Sequence, residues 1–129
     1  VIVVHASALV AIAELEPEAA GFAGAIHAAD PAVISPVNAA EAGFVLLGRG
    51  RFADPADFQT WLEVLEITVW RKPIDEMNVL AAFWRYGKGR HPARLNLGDC
   101  FAYTLAKKLD APLLYKGDAF ARTDVRSAL

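Results

Sequence analysis

Four residues carry the chemistry that this chain can offer: His5, Glu41, Asp99 and Asp118. His5 follows the β-branched run "VIVV", and Asp118 follows "PLLYKG". Glu41 falls about one turn into a helix that begins after "AVIS", and Asp99 falls in the first turn of the helix after a basic loop. In a parallel α/β sheet, functional groups gather where strands end at their carboxyl edge. If these ends converge, one pocket holds a histidine and three carboxylates. Carboxylates sharing a cleft repel each other unless a cation neutralises them. Such an oxygen-rich site suits Mg²⁺ or Mn²⁺, which keep several waters and accept phosphate oxygens as further ligands.

Alternating elements are needed to bring those ends together. "VIVV", "AVIS", "ITVW" and "PLLYKGD" read as strands, the first apolar on consecutive positions as in a strand buried on both faces. Helices are expected at Ala8–Ala13 with Ser7 as cap, across "EPEAAGFAGAIHAAD", across "VNAAEAGFVLLGRG", from Asp54 to about Glu66, from Pro73 to Tyr86 and across "LGDCFAYTLAKKLDA". "DVRSAL" is a candidate last edge strand. The alternation implies a mostly parallel central sheet covered by helices on both faces, an α/β sandwich over residues 1–129 as a single domain.

Bulk properties narrow the setting. With 129 residues, 55% apolar and 22% charged, the chain has the composition of one folded domain. A formal charge of −2 gives no global attraction to nucleic acid or anionic membrane, so any such binding needs a local basic patch. The single cysteine, Cys100, excludes an internal disulfide and fits a reducing compartment. No apolar run reaches the roughly 18 residues that span a bilayer. The expectation is a soluble, cytoplasmic protein without a membrane partner.

At the four candidate residues the chain resembles the PIN-domain ribonucleases, specifically the VapC toxins of bacterial toxin–antitoxin pairs. "IVVHASALVAI" is similar to that family's opening "IVVDASALVAI", and "AEAGFVL" to the helix carrying its glutamate. The most specific match is "LNLGDCFAY" together with "LLYKGDAFARTDV" at the family's spacing. The resemblance spans essentially the whole chain. It implies a PIN-like three-layer sandwich and a metal-dependent endoribonuclease that inhibits translation by cutting RNA. Carried over by position, the acidic quartet that holds Mg²⁺ or Mn²⁺ falls on Glu41, Asp99, Asp118 and, for its first aspartate, on His5. The last is a departure, since a neutral imidazole is a poorer ligand for Mg²⁺ than for Mn²⁺ and brings no negative charge. A second departure is Ala119, where the family turn often reads "KGDDF". The resemblance also implies a VapB-like antitoxin that lays a peptide across the groove, and a homodimer, for which Phe44, Leu47 and Trp61 are candidate contacts. One alternative is a catalytically impaired domain that binds antitoxin or RNA without turnover, and a weaker one is a phosphodiesterase acting on DNA ends.

Beside a metal site of this kind, the basic residues gain a role. Arg85, Lys88, Arg90, His91 and Arg94 fall within ten positions, and Lys116 lies just before Asp118. Arg85, Lys88, Arg90, Arg94 and Lys116 are expected to form a phosphate track for RNA. Trp61, Trp70 and Trp84 sit among apolar residues and are expected in the core or an interface, not as platforms for bases. Asp124 with Thr123 reads as a turn pair, Ser7 as a helix cap, and Cys100 as a small buried packing residue.

Overall fold

Val3, Val4, Val33 and Ile34 show why a parallel sheet forms. They are consecutive, β-branched and at most 3% exposed, so each strand must be covered on both faces. The computed structural model, which describes residues 1–129, realises this with four strands: β1 (Ile2–Val4), β2 (Ala32–Ile34), β3 (Ile67–Val69) and β4 (Leu113–Leu114). All pairings are parallel, in the order β3-β2-β1-β4. Side chains alternate across the sheet as strand pleating requires. Val3, Val33 and Leu113 face one apolar cluster, while Val4, Ile34 and Leu114 face the other.

The helices follow in layers. On the Val4 side pack α1 (Ala6–Ala13), α2 (Ala19–Ala28), α3 (Pro36–Gly48) and α4 (Pro55–Val64). On the Val3 side pack α5 (Glu76–Tyr86) and α6 (Leu97–Lys108), closing the three-layer sandwich. Their starts are set by caps. Ser35, Asp54, Asp75 and Asn96 each accept a hydrogen bond from a first-turn N–H of the helix that follows. The Asp75 cap places the start of α5 at Glu76, three residues beyond the expected Pro73. "DVRSAL" forms no strand: it contributes one bridge, Leu113 to Ser127, with Leu113 N–H donating to the Arg126 carbonyl at 2.8 Å. No helix is long and apolar enough to cross a membrane.

The C-terminal segment is tethered to α6 through Asp124. Its Oδ1 accepts from the Tyr103 hydroxyl at 2.6 Å, and its Oδ2 lies 3.3 Å from Lys107 Nζ and 3.5 Å from an Arg85 nitrogen. Thr123 supplies the turn, its hydroxyl donating to the Phe120 carbonyl at 2.7 Å. The Tyr103 hydrogen bond, aided by Lys107 and Arg85, holds the Asp124 carboxyl below its ordinary value. A carboxyl lowered on folding stabilises the native state above its unfolded pKa, and that stability is lost as pH falls through the folded value. The Asp124→Asn variant is therefore expected to be less stable near neutrality and to lose part of the steep decline below about pH 4. Urea unfolding measured from pH 3 to 7 checks this; curves parallel to the parent at every pH would contradict it.

Candidate active site

The order of the sheet reverses at β1, whose neighbours are β2 and β4, so the carboxyl edge of β1 opens a crevice. His5 sits there as the N-cap of α1, with its backbone extended. Its Nδ1 accepts from the Ser7 N–H at 3.1 Å and lies 2.8 Å from Ser7 Oγ. Ser7 Oγ in turn accepts the Lys116 N–H at 2.9 Å, so its own proton points to Nδ1. These bonds assign the ring proton to Nε2. Nε2 is buried, 2.9 Å from Asp99 Oδ1, and has no other partner. The contact is close but too bent for a well-aligned hydrogen bond. As placed, neither ring nitrogen offers a lone pair to an ion, and the Nε2 edge of His5 faces Asp99.

Asp99 is positioned by its own helix start. Asn96 Oδ1 accepts the Asp99 N–H at 2.8 Å, and Asp99 Oδ2 accepts the Asn96 N–H at 3.1 Å, a reciprocal capping box. The capping role and a place in the cleft therefore coexist in one carboxylate. Cys100, next to it, is 1% exposed; burial first, and the Asp99 charge second, push its thiol up to about 11. A rise of about two pKa units lowers the thiolate fraction about a hundredfold. Iodoacetamide at pH 7.5 is expected to modify native Cys100 at least that much more slowly than the urea-unfolded chain. Equal rates would show the site to be open.

Glu41 is held by a chain of buried polar groups on α3. Ser35 Oγ donates to Asn38 Oδ1 at 2.6 Å and accepts the Asn38 N–H at 3.0 Å. Asn38, wholly buried, then donates through Nδ2 to Glu41 Oε1 at 2.8 Å and to the Gly98 carbonyl at 2.9 Å. One amide thus fastens α3 to the start of α6 and fixes Glu41 beside the residue preceding Asp99. The approach is so close that a Cβ on Gly98 would come within 2.2 Å of both Glu41 carboxylate oxygens. Gly98→Ala is therefore expected to expel Glu41 from the cleft. A chain that folds normally but behaves like a Glu41 variant in RNA cleavage would bear this out; unchanged cleavage would not.

Asn38 was not among the expected site residues, though a signal existed. Ser35, Asn38 and Glu41 recur at intervals of three, which places them on one helix face.

The four residues expected to converge do not all do so. His5 and Asp99 meet at the crevice and Glu41 lies against Gly98, the residue before Asp99, but Asp118 stands apart. Its carboxyl is 87% exposed and its nearest cation is Arg122 at 3.8 Å. The cause is local: Gly117, at φ +100°, turns the chain outward between Lys116 and the buried Phe120. No three acidic, histidine or cysteine side chains stand close enough to enclose one ion.

The basic residues divide in the same way. Lys116 pairs with Glu16 and, at 3.2 Å, with Glu18, and these carboxylates raise its pKa. Arg85 lies against Asp124 and over the Tyr86 ring. Lys88, Arg90 and Arg94 form no ion pair and line one concavity of about 470 Å³.

What remains at the crevice is a pair of half-buried carboxylates without a lysine or arginine partner, one of them flanked by a neutral imidazole. That donor set fits a Mg²⁺ or Mn²⁺ ion that keeps most of its waters and completes its shell with phosphate oxygens, because such ions are ordinarily held by one or two carboxylates. It does not fit a fully protein-enclosed ion.

A four-stranded parallel sheet between two layers of helices defines the class of fold, and the family comparison agrees with it. The family model for PIN domains matches residues 2–126, and the chain belongs to that family. Full-length relatives that it resembles include VapC ribonucleases. It is 42% identical over 127 residues to the protein named Ribonuclease VapC from Mycolicibacterium smegmatis, covering 95% of this chain and 96% of that one. It is 38% identical over 126 residues to Ribonuclease VapC30 of Mycobacterium tuberculosis, covering 95% of each. Ribonuclease VapC28 of the same organism is 36% identical over 131 residues, covering 98% of this chain and 97% of that one.

Proposed function

We propose that this chain is the toxin of a VapBC-type pair, an endoribonuclease that blocks translation by cutting RNA, with Glu41 and Asp99 as its reacting centre. The observation that carries the reading is that pair: two half-buried carboxylates, fastened by Asn38 and the α6 capping box and left without a basic partner. The ribonuclease names of full-length relatives support it, and they give no support to a binding module without turnover.

Each side chain then has a task. Glu41 spends Oε1 on Asn38, and Oε2 accepts no hydrogen bond from the protein, which leaves it free to hold an ion and orient the ion's water. Asp99 Oδ2 is fixed by its cap, and Oδ1 faces His5 Nε2 at 2.9 Å. Lys88, Arg90 and Arg94 supply the cations that a chain of net charge −2 needs to draw a polyanion to the acid cleft. Mg²⁺ or Mn²⁺, bound to Glu41 and Asp99, would contribute Lewis-acid stabilisation and a lowered pKa of bound water. The partner is a VapB-like antitoxin covering this cleft. A second copy would meet the groove between α3 and α4, where Phe44 is 81% exposed.

Induction in cells, with mapping of new RNA ends, tests the toxin role. Growth arrest with discrete new ends, both relieved by a co-expressed antitoxin from the neighbouring reading frame, is expected. Growth and RNA ends identical to uninduced cells would overturn it.

A further inference from the structure

Of the two places expected for Trp84, core or interface, the structure excludes the core. Trp84 is 69% exposed, on the outer face of α5, and the guanidinium of Arg90 lies over its ring at 3.4 Å. Arg90 Nε also donates to the Trp84 carbonyl at 2.8 Å, so the planar group is held against the indole and not free to wander. The loop carrying Arg90 is well tied. Lys88 N–H donates to the Leu95 carbonyl at 2.9 Å and Leu95 N–H to the Tyr86 carbonyl at 3.0 Å. At its root, a Cβ on Gly87 would fall 2.3 Å from the Phe83 ring, so the turn out of α5 needs glycine.

Charge singles this region out. Between Glu76 and Asp99 the sequence contains no acidic residue, and it contains Arg85, Lys88, Arg90 and Arg94. Three of these are unneutralised, and the segment ends at the proposed reacting centre. An exposed aromatic plane beside an unpaired basic concavity matches what an unstructured polynucleotide requires: cations for phosphates and a π-face for a base.

We propose that the stacked Trp84–Arg90 pair is a base platform for single-stranded RNA, with Lys88 and Arg94 holding the adjoining phosphates. This deepens the ribonuclease reading and rests on it. A second copy of the chain, packing on the apolar stripe Met77, Leu80 and Trp84, is the competing occupant.

The test uses the full chain carrying Asp99→Asn, so that RNA binds without being cut, and a fluorescent single-stranded oligoribonucleotide. Trp84→Ala is expected to weaken binding roughly tenfold with an unchanged salt slope. Lys88→Ala and Arg94→Ala should each reduce the slope by about one. Intrinsic tryptophan fluorescence should fall on RNA binding, and Trp84→Phe should remove most of that fall while keeping a π-face and most of the affinity. RNA binding by Asp99→Asn that is indifferent to Trp84→Ala overturns the platform and leaves the ribonuclease reading intact. No binding by any variant overturns the reading beneath it. Sedimentation of Trp84→Ala as a monomer, against a dimeric parent of equal RNA affinity, assigns the face to a second copy and also overturns the platform.

Discussion

Asp99→Asn is expected to lower RNA cleavage on the order of 10²–10³-fold while leaving the fold intact. The substitution keeps an oxygen that can accept the Asn96 N–H, so the capping box at the start of α6 survives. It removes the negative charge that makes the cleft attractive to a cation. It also removes the carboxylate that His5 Nε2 faces at 2.9 Å. Glu41→Gln should cost a similar factor, because Oε1 can still accept from Asn38 while the anionic oxygen that would hold the ion is gone. Since the two act as one unit, the double variant should be scarcely worse than either alone. Cleavage rates with circular dichroism as the folding control decide this; full activity of either single variant would remove it from the centre.

His5→Asp is the second substitution with a large expected effect, and its sign depends on the cation. Aspartate is a good N-cap and can accept the Ser7 N–H as the imidazole does, so α1 is retained. The new carboxylate, however, would face Asp99 where a neutral N–H now stands. Two like charges at that distance disfavour each other, so the variant should be less stable than the parent in EDTA. Mn²⁺ or Mg²⁺ should reverse the deficit, with a gain of about 2.7 kcal/mol at a concentration a hundredfold above the dissociation constant. Divalent affinity should rise roughly ten- to hundredfold over the parent. Thermal melts of both chains in EDTA, Mg²⁺ and Mn²⁺ measure this directly. A variant whose melting ignores both ions would show that position 5 does not face the ion site.

How far the sequence reveals these features depends on how local their causes are. The β-branched strands, the parallel sheet and the placement of Asp99 in a first turn follow from runs of a few residues, and they are legible in "VIVVHA" and "NLGDC". Glu41 is legible as a helix residue after β2, but its orientation is not. That depends on Asn38 bonding across sixty positions to the Gly98 carbonyl. Asp118 shows the opposite case: its sequence position matches the acidic quartet, yet a turn at Gly117 points it to solvent. Trp84 stays open between core and interface because α5 is apolar on two sides. Val79, Ala82 and Tyr86 are buried, while Met77, Leu80 and Trp84 are exposed, and periodicity alone does not say which stripe meets the sheet. "DVRSAL" has the composition of a strand but is too far from regular pairing to make more than one bridge.

His5 joins the two halves of this account. At the carboxyl end of β1 it occupies a position where the family resemblance places an aspartate, and it caps α1 through Nδ1. It also stands against Asp99, with Nε2 2.9 Å from Oδ1. The Phe120 ring meets the imidazole edge-on at 5.0 Å and closes its apolar side.

The most direct measurement incubates the purified chain with single-stranded and stem-loop RNA in Mg²⁺, in Mn²⁺ and in EDTA, beside Glu41→Gln and Asp99→Asn, and maps every product end. Discrete internal cuts by the parent are expected in at least one of the two cations and none in EDTA, with the yield from either variant lower by about a hundredfold or more. Cuts of equal yield from the parent and both variants, or no cuts by the parent with either cation, would contradict this.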